Sequence, residues 1–423
     1  MYNPEVISRR TYAARKAGLE FKRLTRSDSI EIARKLERLR FDHTGRLLPD
    51  DQLSRPLNGA EQAHIDSERV ICKLDFEYWF VRYAHIELDP GVDVESRSGF
   101  GPPVLLESQR RYITLIGRRE AECHEELRKY KFTEGIRVYI HKVRQVAATA
   151  TARALSMHRM IFWPGTRSLA ASLDDVRVGE LFRRDHAILD GLPFWMRPRV
   201  YPDVKDTELG FEPPTASHCS YQAENQQQGR GGLGVGQQRD ISHLTEVALW
   251  QNPGYIEMSF MPSVPKASTT LHIQESTAFG KGNYWHEVTE AARNKKRGYE
   301  HWVYAFVPWY MNRMKWRANV PSDWRPAEHT IHHAELIERT SPEFFDGVTI
   351  RPSVEQLYWW ESERAKLLRN GELATFLTNY PATPEQSFQN PLQGALPAEL
   401  IEWMELQVRM PRKMYEIELA QVA

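Results

Sequence analysis

Apolar positions along the chain change their period repeatedly, and each change predicts an element. Between 26 and 40, Ile30, Ile32, Ala33, Leu36 and Leu39 recur at helical spacing. Residues 50–60 read as a loop, and the aromatic stretch 68–87 as a helix packed on the main body. Gly, Pro and Ser at 91–104 mark another loop, after which 105–113 opens a helix. Residues 136–143 alternate as a strand and lead into an alanine-rich helix ending near Met160. The apolar run 159–163, stopped by Pro164-Gly165, predicts a second strand, and 174–190 a helix. A Gln/Gly-rich loop spans 226–238. Two strand-like runs follow, 240–250 and 271–280, carrying the carboxylates Glu246 and Glu275. Helix 287–296, strand 302–309 and helix 353–370 complete the pattern. The last has a capping box from Ser353 and Gln356, and Gly371 as its stop. Strands alternating with helices predict an α/β fold: a mostly parallel sheet flanked by helices, with a helical N-terminal region.

Composition narrows the function classes. With 423 residues, 41% hydrophobic and 26% charged, the chain can bury a sizeable core. Formal net charge is zero, so a nucleic-acid partner has to be met by local basic patches such as Arg110-Arg111 or Lys295-Lys296-Arg297. Three scattered cysteines argue against a disulfide or cysteine–zinc framework and fit a reducing compartment. The start lacks a secretory pattern, and no run reaches the ~18 apolar residues of a membrane span, so a cytosolic protein without membrane association is expected.

The candidate chemistry lies at strand ends, where open α/β sheets bind ligands. Lys142, Arg144, Gln145 and Thr149 sit in a strand–loop–helix setting that suits phosphate, although the glycines and terminal lysine of a standard phosphate loop are missing. Thr149 is placed to ligate Mg²⁺ at the helix start, and Glu246 to act as a general base toward water. Ser276 and Thr277, beside Glu275, offer hydroxyls at a neighbouring strand end. Each of these also has an ordinary reading as a surface cation, a solvated acid or a turn. Gly232, Gly234 and Gly236 lack the third glycine spacing and the preceding strand of a dinucleotide fingerprint and read as a loop. His329, His332 and His333 lack a metal-binding pattern and read as surface residues.

In their order along the chain, these segments resemble the ATPase domain of tailed-phage DNA-packaging terminase large subunits. The matching stretches are Cys72-Lys-Leu-Asp-Phe-Glu-Tyr-Trp, Ser108-Gln109-Arg110, Lys142-Val-Arg144-Gln145, Leu192-Pro-Phe-Trp195, His243-Leu-Thr-Glu246, Glu275-Ser-Thr-Ala-Phe-Gly280, Phe306-Val-Pro-Trp309 and Asn379-Tyr-Pro-Ala-Thr-Pro-Glu385. The resemblance implies a sheet of P-loop NTPase type, with ATP and Mg²⁺ as cofactors. Gln109 would contact adenine, Lys142, Arg144, Gln145 and Thr149 would form the phosphate loop, Glu246 would be catalytic, and Glu275, Ser276 and Thr277 would couple hydrolysis to movement. It also implies double-stranded DNA, a portal protein and a terminase small subunit as partners, a homo-oligomeric ring on the procapsid, and the cytoplasm of an infected bacterial host. The trans-acting arginine is open among Arg153, Arg230 and Arg239.

The chain departs from that pattern at Ala147, where the family keeps a glycine, and at Thr245, where it keeps an aspartate. The expected organisation is a helical region over 1–70, the ATPase domain over 71–390 and a helical tail over 391–423, which leaves no room for a nuclease, so no DNA cleavage is expected. Two other readings stay open: a helicase-like DNA-dependent ATPase, and a degenerate, non-hydrolysing fold kept as a DNA- or portal-binding scaffold.

Overall fold

The computed structural model describes residues 24–49, 52–88, 99–201, 207–224, 233, 238–369 and 373–389. The chain divides into two compact units, Met1–Lys315 and Trp316–Ala423.

Among the described residues, the first unit has helices α1 (Arg26–Glu37), α2 (Gly59–Leu74) and α3 (Phe76–Tyr83), a short antiparallel pair β1 (Ile86–Glu87) and β2 (Phe100–Gly101), and helix α4 (Glu107–Tyr130). Then come β3 (Ile136–Lys142), α5 (Ala148–Phe162), β4 (Arg167–Ser172), α6 (Asp175–Gly191), β5 (Glu208–Gly210), β6 (His218–Ala223), β7 (Ile241–Thr245), β8 (Leu271–Ser276), α7 (Tyr284–Arg293) and β9 (Trp302–Val307). The strands form one seven-stranded sheet in the order β5-β6-β4-β7-β8-β3-β9. Only the β5–β6 pair is antiparallel. The α/β, mostly parallel sheet expected from the alternation is therefore present, flanked by helices.

Helices on both faces bury the central strands entirely, as parallel sheets require. Every residue of β7 and β8 is buried, including His243, His272, Gln274 and Glu275. Register aligns the strand ends: Thr245 lies opposite Glu275, Glu275 opposite Ile140, and Ser276 opposite His141. The carboxyl ends of β3, β7 and β8 thus lie side by side. Helix α5, rich in alanine, is buried almost all round and covers this region. Its Arg153 makes a bidentate ion pair with Asp185 of α6, and the Tyr221 hydroxyl donates to the same carboxylate.

Three expectations change in the first unit. The run 159–163 is not a strand. Met160, Ile161 and Phe162 continue α5, with Trp163 as its C-cap and Gly165, at φ +77°, turning the chain into β4. Apolar residues alone do not distinguish a buried helix end from a strand. The stretch 68–87 holds two helices, because the Asp75 carboxylate caps a new one by accepting the Tyr78 N–H. Phe76 and Trp79 then pack on His158 of α5, with ring centroids 5.3 and 5.1 Å away. The strand in 240–250 ends at Thr245, and Glu246 starts a tight turn.

The second unit contains α8 (Glu328–Phe344), α9 (Val354–Arg369), α10 (Leu373–Asn379) and α11 (Pro384–Ser387). The capping box of α9 is present: Ser353 N–H donates to Gln356 Oε1 and Gln356 N–H to Ser353 Oγ. His333 is buried and stacks on Trp360 at 3.9 Å, which corrects its reading as a surface residue. The glycine trio 232, 234 and 236, Arg230, Gly371 and the tail 391–423 lie outside the described residues.

Candidate functional site

The residues linking β3 to α5 carry two backbone conformations that side chains rarely adopt. Gln145 and Ala147 have φ of 58° and 53°, in the left-handed region. Glu246, after β7, has φ 57°. Such residues cost ~1–3 kcal/mol each and persist only where surrounding structure enforces them. Here that structure is visible. Ser108 Oγ donates to Val146 O, Tyr112 Oη to Ala147 O, and Lys315 Nζ to Gln145 O. Thr151 Oγ1 also donates to Ala147 O. The link's carbonyls are therefore held from behind. Ala147 provides no side-chain cap for α5. The first N–H groups of a helix have no intrahelical acceptor, and they carry the positive end of its dipole.

In front of this link, at the ends of β3, β7 and β8, stands one ammonium between two carboxylates. Lys142 Nζ is 3.0 Å from Glu246 Oε1 and 3.8 Å from Glu275 Oε2. The Lys142 side chain is 9% exposed, Glu246 25% and Glu275 0%. Burial pushes the Lys142 pKa down, but Glu275 and then Glu246 outweigh it and hold it above the ordinary value. Burial likewise pushes Glu275 up, yet Lys142, His243 and Thr149 together bring it down to about 2. His243 lies 3.1 Å from Glu275 Oε1. Burial lowers its own pKa despite the carboxylate, so the ring is neutral at pH 7 and serves Glu275 from the Nε2–H tautomer. Glu275 Oε2 has no hydrogen-bond partner among the described residues.

The structure thus brings Lys142, Thr149, Glu246, Glu275 and Ser276 together. Ser276, the last residue of β8, accepts the Ala248 N–H at 3.1 Å and so ties β8 to the turn that carries Glu246. Thr277 follows it, half-buried. Arg144 and Gln145 are exposed on the link. Gln109 lies behind the link, 1% exposed, where its Oε1 accepts the Leu106 N–H and its Nε2 donates to Thr151. A contact to adenine from Gln109 requires exchanging those bonds.

Of the candidate trans-acting arginines, Arg153 is fully buried on Asp185, and Arg239 is buried with a bond to Ser168 O. Both are thus held inside this chain, and Arg230 is outside the described residues. Sequence reading gave no role to His243, Ser108, Tyr112 and Lys315. Nothing local marks them, since each acts on a residue distant along the chain. Among the described residues, no helix is long and apolar enough to cross a membrane.

No protein-family model and no curated protein matches the chain. Among solved structures, the HK97 bacteriophage large terminase aligns at 13% identity and a TM-score of 0.43, over 76% of this chain and 53% of its own. The large terminase ATPase domain of Thermus phage P74-26 aligns at 12% identity and a TM-score of 0.37, over 66% of this chain and 99% of that domain. A large terminase of a thermophilic bacteriophage, in complex with ADP, aligns at 13% identity and a TM-score of 0.31, over 45% of each chain. This chain spans about half the length of the HK97 protein. It is similar in structure to several phage large terminases.

Proposed function

We propose that the chain hydrolyses ATP at the carboxyl end of its parallel sheet and thereby moves double-stranded DNA into a viral procapsid, as the ATPase of a large terminase. The observation that carries the reading is the convergence of Lys142, Glu246 and the α5 N-terminus at adjacent strand ends, in a chain whose motifs follow the terminase order. On this reading the first-turn N–H groups of α5 take the phosphates, as helix N-termini do. Lys142 turns from Glu246 to the phosphate oxygens and leaves Glu246 free to orient a water. The water oxygen attacks the γ-phosphorus, its proton passes to Glu246, and the bond to the β–γ bridging oxygen breaks to release ADP and phosphate. Ser276, tied to the Glu246 turn through Ala248, and Thr277 after it pass the change along β8.

Mg²⁺ prefers oxygen donors and keeps several waters, with one or two carboxylates plus substrate phosphates. Among the described residues no group of three or more His, Cys, Asp or Glu could hold a metal ion. The hydroxyl of the half-buried Thr149, at the start of α5 and beside Glu275, therefore fits a metal shared with the phosphates. When bound, the ion neutralises charge developing on them. Arg144 and Gln145 face outward, where the rest of the nucleotide would extend, and Gln109 backs the loop. Double-stranded DNA, a portal protein, a small subunit and further copies in a ring belong to the same proposal, with the host cytoplasm as its place.

Mg²⁺-dependent ATP hydrolysis, with and without linear duplex DNA, tests it beside Glu246→Gln. Turnover stimulated by DNA and reduced about 10²–10⁴-fold in the variant is expected. Turnover unchanged in Glu246→Gln removes that residue from the mechanism. A second reading, a nucleotide-binding scaffold, is favoured by Thr245, which puts a hydroxyl where an acid would precede Glu246. It predicts binding of nucleotide without hydrolysis. Strand displacement would instead identify a helicase.

A further inference from the structure

We propose that Glu275 holds the divalent cation of the nucleotide site, replacing from β8 the acid that β7 lacks at Thr245, and that Lys142 occupies the cation's place until nucleotide arrives. This rests on the ATP reading above and goes beyond it, because Glu275 was grouped with the coupling residues.

Three observations converge. The register sets Glu275 directly opposite Thr245, so the two strands present a carboxylate at one level although β7 supplies none there. Glu275 is fully buried and the Thr149 hydroxyl also acts on its carboxylate, but its two oxygens are held unequally: Oε1 lies 3.1 Å from His243, whereas Oε2 accepts no close hydrogen bond among the described residues and has Lys142 Nζ only at 3.8 Å. Such an oxygen is rare and costly in a folded protein and calls for an explanation. An ion bound there when the site is loaded provides one. Finally, Oε2 points at the same ammonium that Glu246 binds, 3.8 Å from Lys142 Nζ, with Thr149 beside it.

Charge decides the rest. Two carboxylates share one ammonium, so these three groups together carry one negative charge without nucleotide. When Lys142 turns to the phosphates, Glu275 loses its nearest cation, and a buried carboxylate without one is strongly disfavoured. A divalent cation entering with the nucleotide restores the balance at the same position. His243 then acts as a positioning residue, fixing the carboxylate through Oε1 as partners of metal-binding carboxylates do. A purely structural salt bridge would instead keep Lys142 in place and leave metal binding indifferent to Glu275.

The test compares binding of a fluorescent ADP analogue in Mg²⁺ and in EDTA, for the full chain and Glu275→Gln, with Mn²⁺ uptake in the presence of ADP followed by electron paramagnetic resonance. The expected result is a Mg²⁺/EDTA affinity ratio reduced about tenfold or more in the variant, with Mn²⁺ uptake lost and binding in EDTA retained. A folded Glu275→Gln protein with the wild-type ratio and wild-type Mn²⁺ uptake overturns the assignment and leaves the ATP reading standing. If Glu275→Gln does not fold, Glu275→Asp keeps the charge and retracts it by one methylene. Weakened Mn²⁺ uptake then supports the proposal, and unchanged uptake overturns it. Wild-type protein that binds no nucleotide under either condition removes the ATP reading, and this proposal with it.

Discussion

Replacing Lys142 by methionine keeps much of the side-chain volume and removes the charge that Glu275 depends on. The Glu275 side chain is 0% exposed and cannot turn to solvent. Its pKa lies near 2, against an ordinary 4.5, with Lys142 the largest of the contributions that overcome burial. At ~1.4 kcal/mol per tenfold change in proton affinity, that depression is worth about 3 kcal/mol at neutral pH. Breaking a buried ion pair by removing one partner costs a similar ~3–5 kcal/mol. The sign with pH follows from the direction of each shift. In the wild type, the folded-state pKa is depressed. Glu275 therefore contributes fully above the ordinary unfolded value of 4.5 and loses its contribution as pH falls toward 2. In Lys142→Met, burial is expected to outweigh the remaining contributions of His243 and Thr149 and to raise the folded pKa above the unfolded one. The variant is then most stable in acid, with the carboxyl protonated, and weakens as pH rises. Urea unfolding followed by tryptophan fluorescence from about pH 5 to about pH 8 should show a gap of about 3 kcal/mol at the upper end, narrowing toward the lower. A pH-independent gap of about 1 kcal/mol or less, the value of an exposed pair, would refute the reasoning.

Further predictions concern neighbouring features. Ala147→Gly removes the left-handed strain at φ 53° and gives α5 a better N-cap; a stabilisation of roughly 1 kcal/mol is expected by urea unfolding, and a loss of stability would mean the link is not strained. Asp185→Asn leaves the fully buried Arg153 without its counter-charge, so a loss of about 3–5 kcal/mol is expected; a loss near that of a surface pair would place Arg153 in contact with water. Trp360→Ala removes the indole on which His333 stacks at 3.9 Å and should cost the helical unit about 3–5 kcal/mol in thermal or urea unfolding, whereas an unchanged transition would mean that this contact is not part of its core.

What was legible in the sequence followed rules that act over a few residues. The capping box at Ser353 and Gln356, the strand 136–143 and the helix after it need only local spacing, and all are found. Glu246 was conspicuous because an acid just past an apolar run is placed by the end of the strand itself. The misreadings share a different cause. Arg153 looks like a free cation until α6 brings Asp185 against it, and His333 looks exposed until α9 lays Trp360 over it. β4, Arg167–Ser172, has small and polar residues that gain strand character only by being covered on both faces. Glu275 is a different case. In sequence it stands out as a carboxylate in a strand-like run beside Ser276 and Thr277, but nothing there shows which residues partner it. Its meaning comes from three partners on three other elements: Lys142 ending β3, His243 within β7 and Thr149 opening α5. No spacing rule links those positions, because the sheet order β7-β8-β3 that assembles them is set by the whole set of crossover connections. A buried carboxylate held near pKa 2 by partners on three other elements is therefore a property of the topology, and it can be read only after the strands have been put in order.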